Sequence, residues 1–330
     1  MVETKSVILH TLCVPCACHC RYCLLSWDGR TRGADWERSR RYAGAFAGWI
    51  RENRPELRFH FSFGYSMEHP ALPEALDFLR SLGSVGAEYL HCDGLRIRDG
   101  AETAAFVRML REHGVKHLNF TFYGLEAYHD RFAGRKGDFA WQRRLSEAAR
   151  EAGLETSAGV PLTRENVGQA EALLKLLGPE ETRFFIPHAE GRGINLEPIR
   201  LRMEDYERLS GGARERLNRR LYRSEAEWIE DPPPEPENRM LLLSLTPENI
   251  AWFEETPADE VIARAEALDE AYYAPLPPFA ELARRCGDPA GDALFSARDL
   301  TARYQKRWIK EHGLSLYDVT DERQTGSRRF

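Results

Sequence analysis

The sequence has no long apolar run. Its amino terminus carries one lysine and a short apolar stretch at residues 7–9, far below a signal-peptide core or a membrane span, so a cytoplasmic protein without a membrane partner is expected. Positive charge is not in surplus either: the formal net charge is −6, the pI is near 6.0, and no basic run is long. A general nucleic-acid partner is therefore not expected. Cysteine is scarce outside one place. Only Cys92 and Cys286 lie beyond residues 13–23, whereas a disulfide scaffold spreads its cysteines over the fold to staple distant segments. There is no internal repeat.

Alternation is what the chain does have. Short runs rich in β-formers at residues 6–12, 57–63, 88–92, 115–122, 154–160 and 182–187 alternate with helical patterns at 35–53, 73–82, 101–113, 139–152 and 166–177. Strand and helix in that order predict a parallel sheet with crossover helices. The expected fold class is α/β, a partial (β/α)6 TIM-like barrel over residues 1–198 with a mostly helical carboxyl-terminal extension. Residues 199–238, charged and interrupted by a proline-rich stretch after Asp231, read as a linker to a mostly helical domain at 239–330. Within that domain 241–245 allows one strand, Thr246 followed by Pro247 suits a helix start, and 259–273 and 297–312 have helical periodicity.

Five of the seven cysteines, Cys13, Cys16, Cys18, Cys20 and Cys23, crowd into the loop after the first strand. In a reducing compartment such crowding points to metal. Three thiolates in a short loop can grip one face of a compact iron-sulfur cluster and leave one iron open to a ligand. The two Cys-x2-Cys pairs, Cys13/Cys16 and Cys20/Cys23, also allow a structural zinc knot, although zinc sites usually separate such pairs further. A cluster with Cys13 as fourth ligand, serving as an electron carrier, is a further alternative.

Cys16, Cys20, Tyr22 and Cys23 match the Cys-x3-Cys-x2-Cys signature, with its aromatic residue before the last cysteine, and here the chain resembles the radical S-adenosylmethionine superfamily. The resemblance implies a 4Fe-4S cluster on Cys16, Cys20 and Cys23, S-adenosylmethionine chelated to the open iron, and reductive cleavage to a 5′-deoxyadenosyl radical that abstracts a hydrogen atom. It covers about residues 6–195. Gly64-Tyr65-Ser66-Met67-Glu68 partly matches the family's Gly-Gly-Glu motif, with one glycine replaced and two residues inserted. Asp93-Gly94 stands where the family has Asn-Gly. Thr121, at the end of the fourth strand, stands where relatives that modify peptides and small molecules have a serine, and Tyr123 replaces their aspartate. His129-Asp130 and the glycine-rich turn 134–137 follow, as in those relatives.

By the same resemblance Tyr22, Gly64, Tyr65, Ser66, Glu68, Asp93, Thr121, Thr163 and Asn166 are expected around S-adenosylmethionine, with Arg143 or Arg144 supplying a cation to its carboxylate. Each has a plainer reading as well: a turn glycine with a helix-start acid, an exposed helix arginine, or, for Asn166, a helix cap. Cys92 and Cys286 are candidate hydrogen donors to a substrate radical, or simply small core residues. The cysteine-rich carboxyl-terminal extension of many peptide-modifying relatives is missing, so a single cluster is expected. The implied partners are a peptide or small-molecule substrate and an external electron donor of the flavodoxin or ferredoxin type.

Overall fold

A computed structural model describes residues 3–12, 16–23, 33–64, 67–178, 180–188 and 191–314. Cys13, Tyr65 and Ser66 lie outside the described residues. The first half runs β1 (Glu3–Leu12), α1 (Trp36–Asn53), β2 (Arg58–Gly64), α2 (Leu72–Ser81), β3 (Tyr89–His91), α3 (Gly100–Glu112), β4 (His117–Thr121), α4 (Glu126–Ala133), α5 (Asp138–Glu151), β5 (Glu155–Pro161), α6 (Ala170–Leu177) and β6 (Thr182–Phe185). The strand-helix alternation read from the sequence is therefore present, and the class is α/β. Helix α4 was not anticipated: its segment read as the connection carrying His129-Asp130.

The second half adds α7 (Met203–Glu207), α8 (Gly211–Arg216), β7 (Arg223–Ser224), α9 (Glu225–Glu230), β8 (Asn238–Leu245), α10 (Ile250–Glu255), α11 (Ala258–Tyr273), α12 (Phe279–Cys286), β9 (Leu294–Phe295) and α13 (Ala297–Glu311). Three of these lie in the stretch 199–238 before β8 is reached as short helices, α7, α8 and α9. Strand β8 runs parallel to β1, from Glu3 opposite Asn238 to Thr11 opposite Leu245, and β1 also pairs in parallel with β2. The sheet order is β2-β1-β8 in one part and β3-β4-β5-β6 in the other, with β7 and β9 antiparallel elsewhere; no closed barrel forms among the described residues.

Period-two alternation fixes which face of each strand meets the helices. Val7 and Leu9 of β1, Phe61 of β2 and Leu241, Leu243 and Leu245 of β8 are buried in one cluster with Phe46 and Ile50 of α1 and Phe253, Val261 and Ile262 from the carboxyl-terminal helices. Leu118 and Phe120 of β4, Ala158 and Val160 of β5 and Phe184 of β6 share a second cluster with Leu110 of α3 and Trp141 and Leu145 of α5. Truncating one of these fully buried leucines to alanine is expected to cost about 2–5 kcal/mol. The opposite strand face is mixed, with Ile8, Leu242 and Phe185 among polar groups. It presents Arg58, His60, Tyr89, His91, His117, Asn119 and Ser157, none of them buried.

Candidate cofactor site

The cysteine loop follows β1 and is pinned to the turn after β3 and to the last turn of α4 by main-chain bonds: Ala17 N–H to Gly94 O (2.7 Å), His19 N–H to Ala133 O (2.8 Å) and Arg21 N–H to Phe132 O (3.2 Å). Two glycines make this approach possible. A Cβ on Gly94, whose φ is +69°, would lie 1.9 Å from Cys16 Sγ, and one on Gly134, φ +68°, would lie 3.0 Å from His19 Cβ. Both are left-handed positions that glycine takes without strain. Gly134 also ends α4, and Gly137 (φ +78°) precedes α5.

The thiols divide into two environments. Cys16, Cys20 and Cys23 are partly exposed, whereas Cys18 is buried and its Sγ lies 3.6 Å from Asp138 Oδ2. Asp138, fully buried at the first turn of α5, also receives His129 Nε2 (2.9 Å) and Gln142 Nε2 (3.1 Å) on Oδ2 and Arg135 on Oδ1. His129 Nδ1 accepts the Tyr123 N–H at 3.1 Å, so the proton on this imidazole sits on Nε2 and goes to Asp138. Burial pushes the Asp138 carboxyl up, but the His129 bond and the Arg135 charge outweigh it and hold the group below its ordinary range. Asp130 stiffens the turn beneath, accepting from Gly137 N–H and Phe139 N–H.

Aromatic rings enclose the loop. Tyr22 meets Tyr123 edge-on and tilts against Phe132, both at 5.8 Å between ring centroids, and Tyr123 stacks on Phe132 at 4.7 Å. The Tyr123 hydroxyl lies 3.1 Å from Cys20 Sγ.

An iron-sulfur group fits this donor set. The hydrogen bond with Cys18 and burial push the Cys16 thiol far up; for Cys18 the bond with Cys16 lowers the pKa, but the bond with Cys20 and burial outweigh it. Crowded, half-buried thiols therefore resist ionising on their own, and a bound cation reverses that logic by taking thiolates outright. Soft sulfur donors favour iron-sulfur clusters, zinc or copper(I) over hard cations. As they stand, no three His, Cys, Asp or Glu side chains among the described residues are grouped round a single ion position.

The other expected site residues divide by position. Gly64 ends β2, opposite Leu12 and so beside the start of the loop. Asp93 accepts the Thr121 N–H (2.8 Å) and Thr121 Oγ1–H (2.7 Å), and burial pushes its carboxyl up. Glu68 is forked by the buried Arg98 at 2.8 and 2.7 Å and takes the Arg96 N–H at 2.8 Å. Asn166 does not cap its helix with its side chain. Its Oδ1 takes the Thr163 N–H (2.7 Å), and its Nδ2 donates to Tyr123 O (2.6 Å) and Pro161 O (2.7 Å), tying the ends of β4 and β5 together.

Arg143 and Arg144 are not brought to the loop. Arg143 pairs with Glu147 at 2.9 Å on the exposed side of α5, and Arg144 lies over the Trp141 ring. Cys92 is 1% exposed and packs in the core with Leu90 and Phe106, on the helix side of its strand. Cys286 is buried with Trp228, Phe279 and Tyr304 between the carboxyl-terminal helices. Asp138, Arg135 and Gln142 carry no motif of their own in the sequence beyond the Gly134–Gly137 turn beside them.

Fold and loop together define an α/β protein that presents a thiol-rich loop at the carboxyl ends of parallel strands. The Radical SAM superfamily matches residues 13–177, half of the chain, and the protein belongs to that superfamily. The family implies a 4Fe-4S cluster and S-adenosylmethionine, and its enzymes generally catalyse radical reactions. No curated protein matches significantly. Among solved structures, native anSMEcpe with bound AdoMet is similar at 17% identity over 61% of this chain and 57% of that one, with a TM-score of 0.42. The chain thus spans little more than half the length of that protein. Native anSMEcpe with bound AdoMet and the Cp18Cys peptide is similar at 12% identity over 94% and 98%, TM-score 0.45. Coproporphyrinogen III oxidase (HemN) from Escherichia coli, a radical SAM enzyme, is similar at 11% identity over 94% and 91%, TM-score 0.40. No helix of the described residues is long and apolar enough to cross a membrane.

Proposed function

We propose that this protein is a radical S-adenosylmethionine enzyme that abstracts a hydrogen atom from a peptide or small-molecule substrate, using Cys16, Cys20 and Cys23 as the three cluster ligands. The observation that carries the ligand choice is the division of the thiols. Cys18 turns inward to Asp138, while Cys16, Cys20 and Cys23 stay partly exposed. A 4Fe-4S cluster held by Cys16, Cys20 and Cys23 would supply the electron for reductive cleavage of S-adenosylmethionine.

The chain's own residues do the positioning. The main-chain bonds to Gly94, Ala133 and Phe132 hold the loop against the turn after β3 and the end of α4. Gly64, opposite Leu12 at the end of β2, and Tyr22, within the loop, are the residues we assign to the methionine or nucleoside part of the cofactor. Asp93, Thr121, Thr163 and Asn166 satisfy one another or the strand ends, and so hold the rim that the cofactor would lie against. The polar groups His60, His91, Asn119 and Ser157, set beside Ile8, Leu242 and Phe185 on the strand face away from the core, support a substrate with both hydrogen-bonding and apolar parts. An external one-electron donor of the flavodoxin or ferredoxin type supplies the electron.

The test is anaerobic reconstitution with iron and sulfide, followed by dithionite and S-adenosylmethionine. The expected result is a brown protein that releases 5′-deoxyadenosine. A brown protein that releases none is an electron carrier, and a colourless protein retaining zinc holds a structural knot; either outcome overturns the proposal.

A further inference from the structure

Tyr123 is held more firmly than packing alone requires. Its N–H donates to His129 Nδ1 and its carbonyl accepts from Asn166 Nδ2, at 3.1 and 2.6 Å. Its ring is stacked on Phe132 and set against Tyr22, and the residue is 4% exposed. All of this aims one polar atom, the hydroxyl, at Cys20 Sγ, 3.1 Å away. A buried tyrosine hydroxyl has to find a hydrogen-bond partner, and here the partner is a sulfur.

We propose that Tyr123 donates its O–H to the Cys20 sulfur when that sulfur is bound to iron, and that this bond raises the reduction potential of the cluster. The inference rests on the cluster reading above and assigns Tyr123 as a positioning residue, since it acts through Cys20. In the free protein either atom can be the donor. An iron-bound thiolate has no proton, so only the phenol can then donate, and the bond becomes charge-assisted. Hydrogen bonds to the cysteine sulfurs are among the factors that set cluster potentials. One-electron reduction by the external donor adds one negative charge shared between iron and sulfur, and the O–H dipole stabilises that state more than the oxidised one.

The experiment is a dithionite and redox-dye titration of the reconstituted enzyme without S-adenosylmethionine, followed by the electron paramagnetic resonance of the reduced cluster. Tyr123→Phe keeps the ring and removes the donor. It is expected to cut the reduced-to-oxidised ratio at fixed dye potential about tenfold, which for one electron is about 59 mV. 3-Fluorotyrosine at position 123, a more acidic donor, is expected to move the ratio the other way, and it decides the matter if the Phe variant holds no cluster. Tyr128→Phe, whose hydroxyl meets Thr163 and Glu165 instead of a thiol, is expected to leave the ratio unchanged. A ratio within twofold of wild type in the position-123 variants, or an equal shift in Tyr128→Phe, overturns the assignment of Tyr123 alone. A wild-type protein that takes up no iron overturns the cluster reading itself, and is recognised before any variant is compared.

Discussion

Replacing Asp138 by alanine is expected to destabilise the metal-free protein by about 3–5 kcal/mol, the range for removing one partner of a buried charge network. The structure gives the same size from its parts. His129 and Asp138 are both 0% exposed, Gln142 is 2% exposed, and the donors His129 Nε2 and Gln142 Nε2 both point at Asp138 Oδ2. Each buried donor left unmet costs about 1–3 kcal/mol, so two give about 2–6 kcal/mol. Arg135 adds less, because it is partly exposed and keeps the Leu95 carbonyl as a partner. Asp138→Asn retains one acceptor oxygen and should cost about 1–3 kcal/mol. The assay is urea unfolding of the reduced, iron-free chain, so that cofactor loss does not enter. The sign with pH follows from the lowered carboxyl pKa: the stabilisation is present above the ordinary value of 3.8 and is lost as pH falls through the folded-state value below it. The gap between wild type and Asp138→Asn should therefore shrink only in that acid window. An alanine variant within about 1 kcal/mol of wild type at neutral pH refutes the account.

Three further outcomes are expected. Cys16→Ala, Cys20→Ala and Cys23→Ala should each abolish iron uptake on reconstitution while Cys18→Ala retains it, as counted by iron and sulfide per chain; iron loss in Cys18→Ala would reassign the ligands. Gly94→Ala adds about 1–2 kcal/mol of left-handed backbone strain and a Cβ 1.9 Å from Cys16 Sγ, so it should both lower the melting temperature and impair iron uptake; wild-type iron content would show that the loop does not lie where the structure puts it. Glu68→Gln removes the charge facing the buried Arg98, which also meets the Arg96 carbonyl and the Phe106 ring. A loss of about 1–3 kcal/mol in urea unfolding is expected, since Gln keeps one acceptor oxygen, and an unchanged midpoint would mean Arg98 does not depend on the Glu68 charge.

Much of this was legible in the sequence because it is local. Alternation marked most strands, and the spacing of Cys16, Cys20 and Cys23 marked the loop. What failed to show depends on phase or on distance. Arg143 and Arg144 follow the glycine turn in the sequence, but the helical period buries Asp138, Trp141, Gln142 and Leu145 of α5 and turns those arginines away. Cys92 follows His91, and a strand sends successive side chains to opposite faces, so the histidine is exposed and the cysteine enters the core. The bond from Cys18 to Asp138 spans 120 positions, and no local pattern announces it. The same holds for β8: its leucine run suggests a strand, but nothing in it names β1 as the partner.

That long-range pairing bears on the site. Strand β1 delivers the cysteine loop and belongs to the sheet part β2-β1-β8, while the groups that receive the loop, Gly94, Phe132, Ala133 and Asp138, follow the strands β3 and β4 of the other part. The loop therefore lies across two sheet parts that no ladder joins among the described residues. Its geometry depends on β1 being held in register, and β8 supplies one of the two strands that hold it, with Leu241, Leu243 and Leu245 packed against helices of the carboxyl-terminal half. The carboxyl-terminal segment thus bears on the cysteines through the position of β1. Glycines at Gly94 and Gly134 then allow the loop to settle within contact distance of the receiving turns.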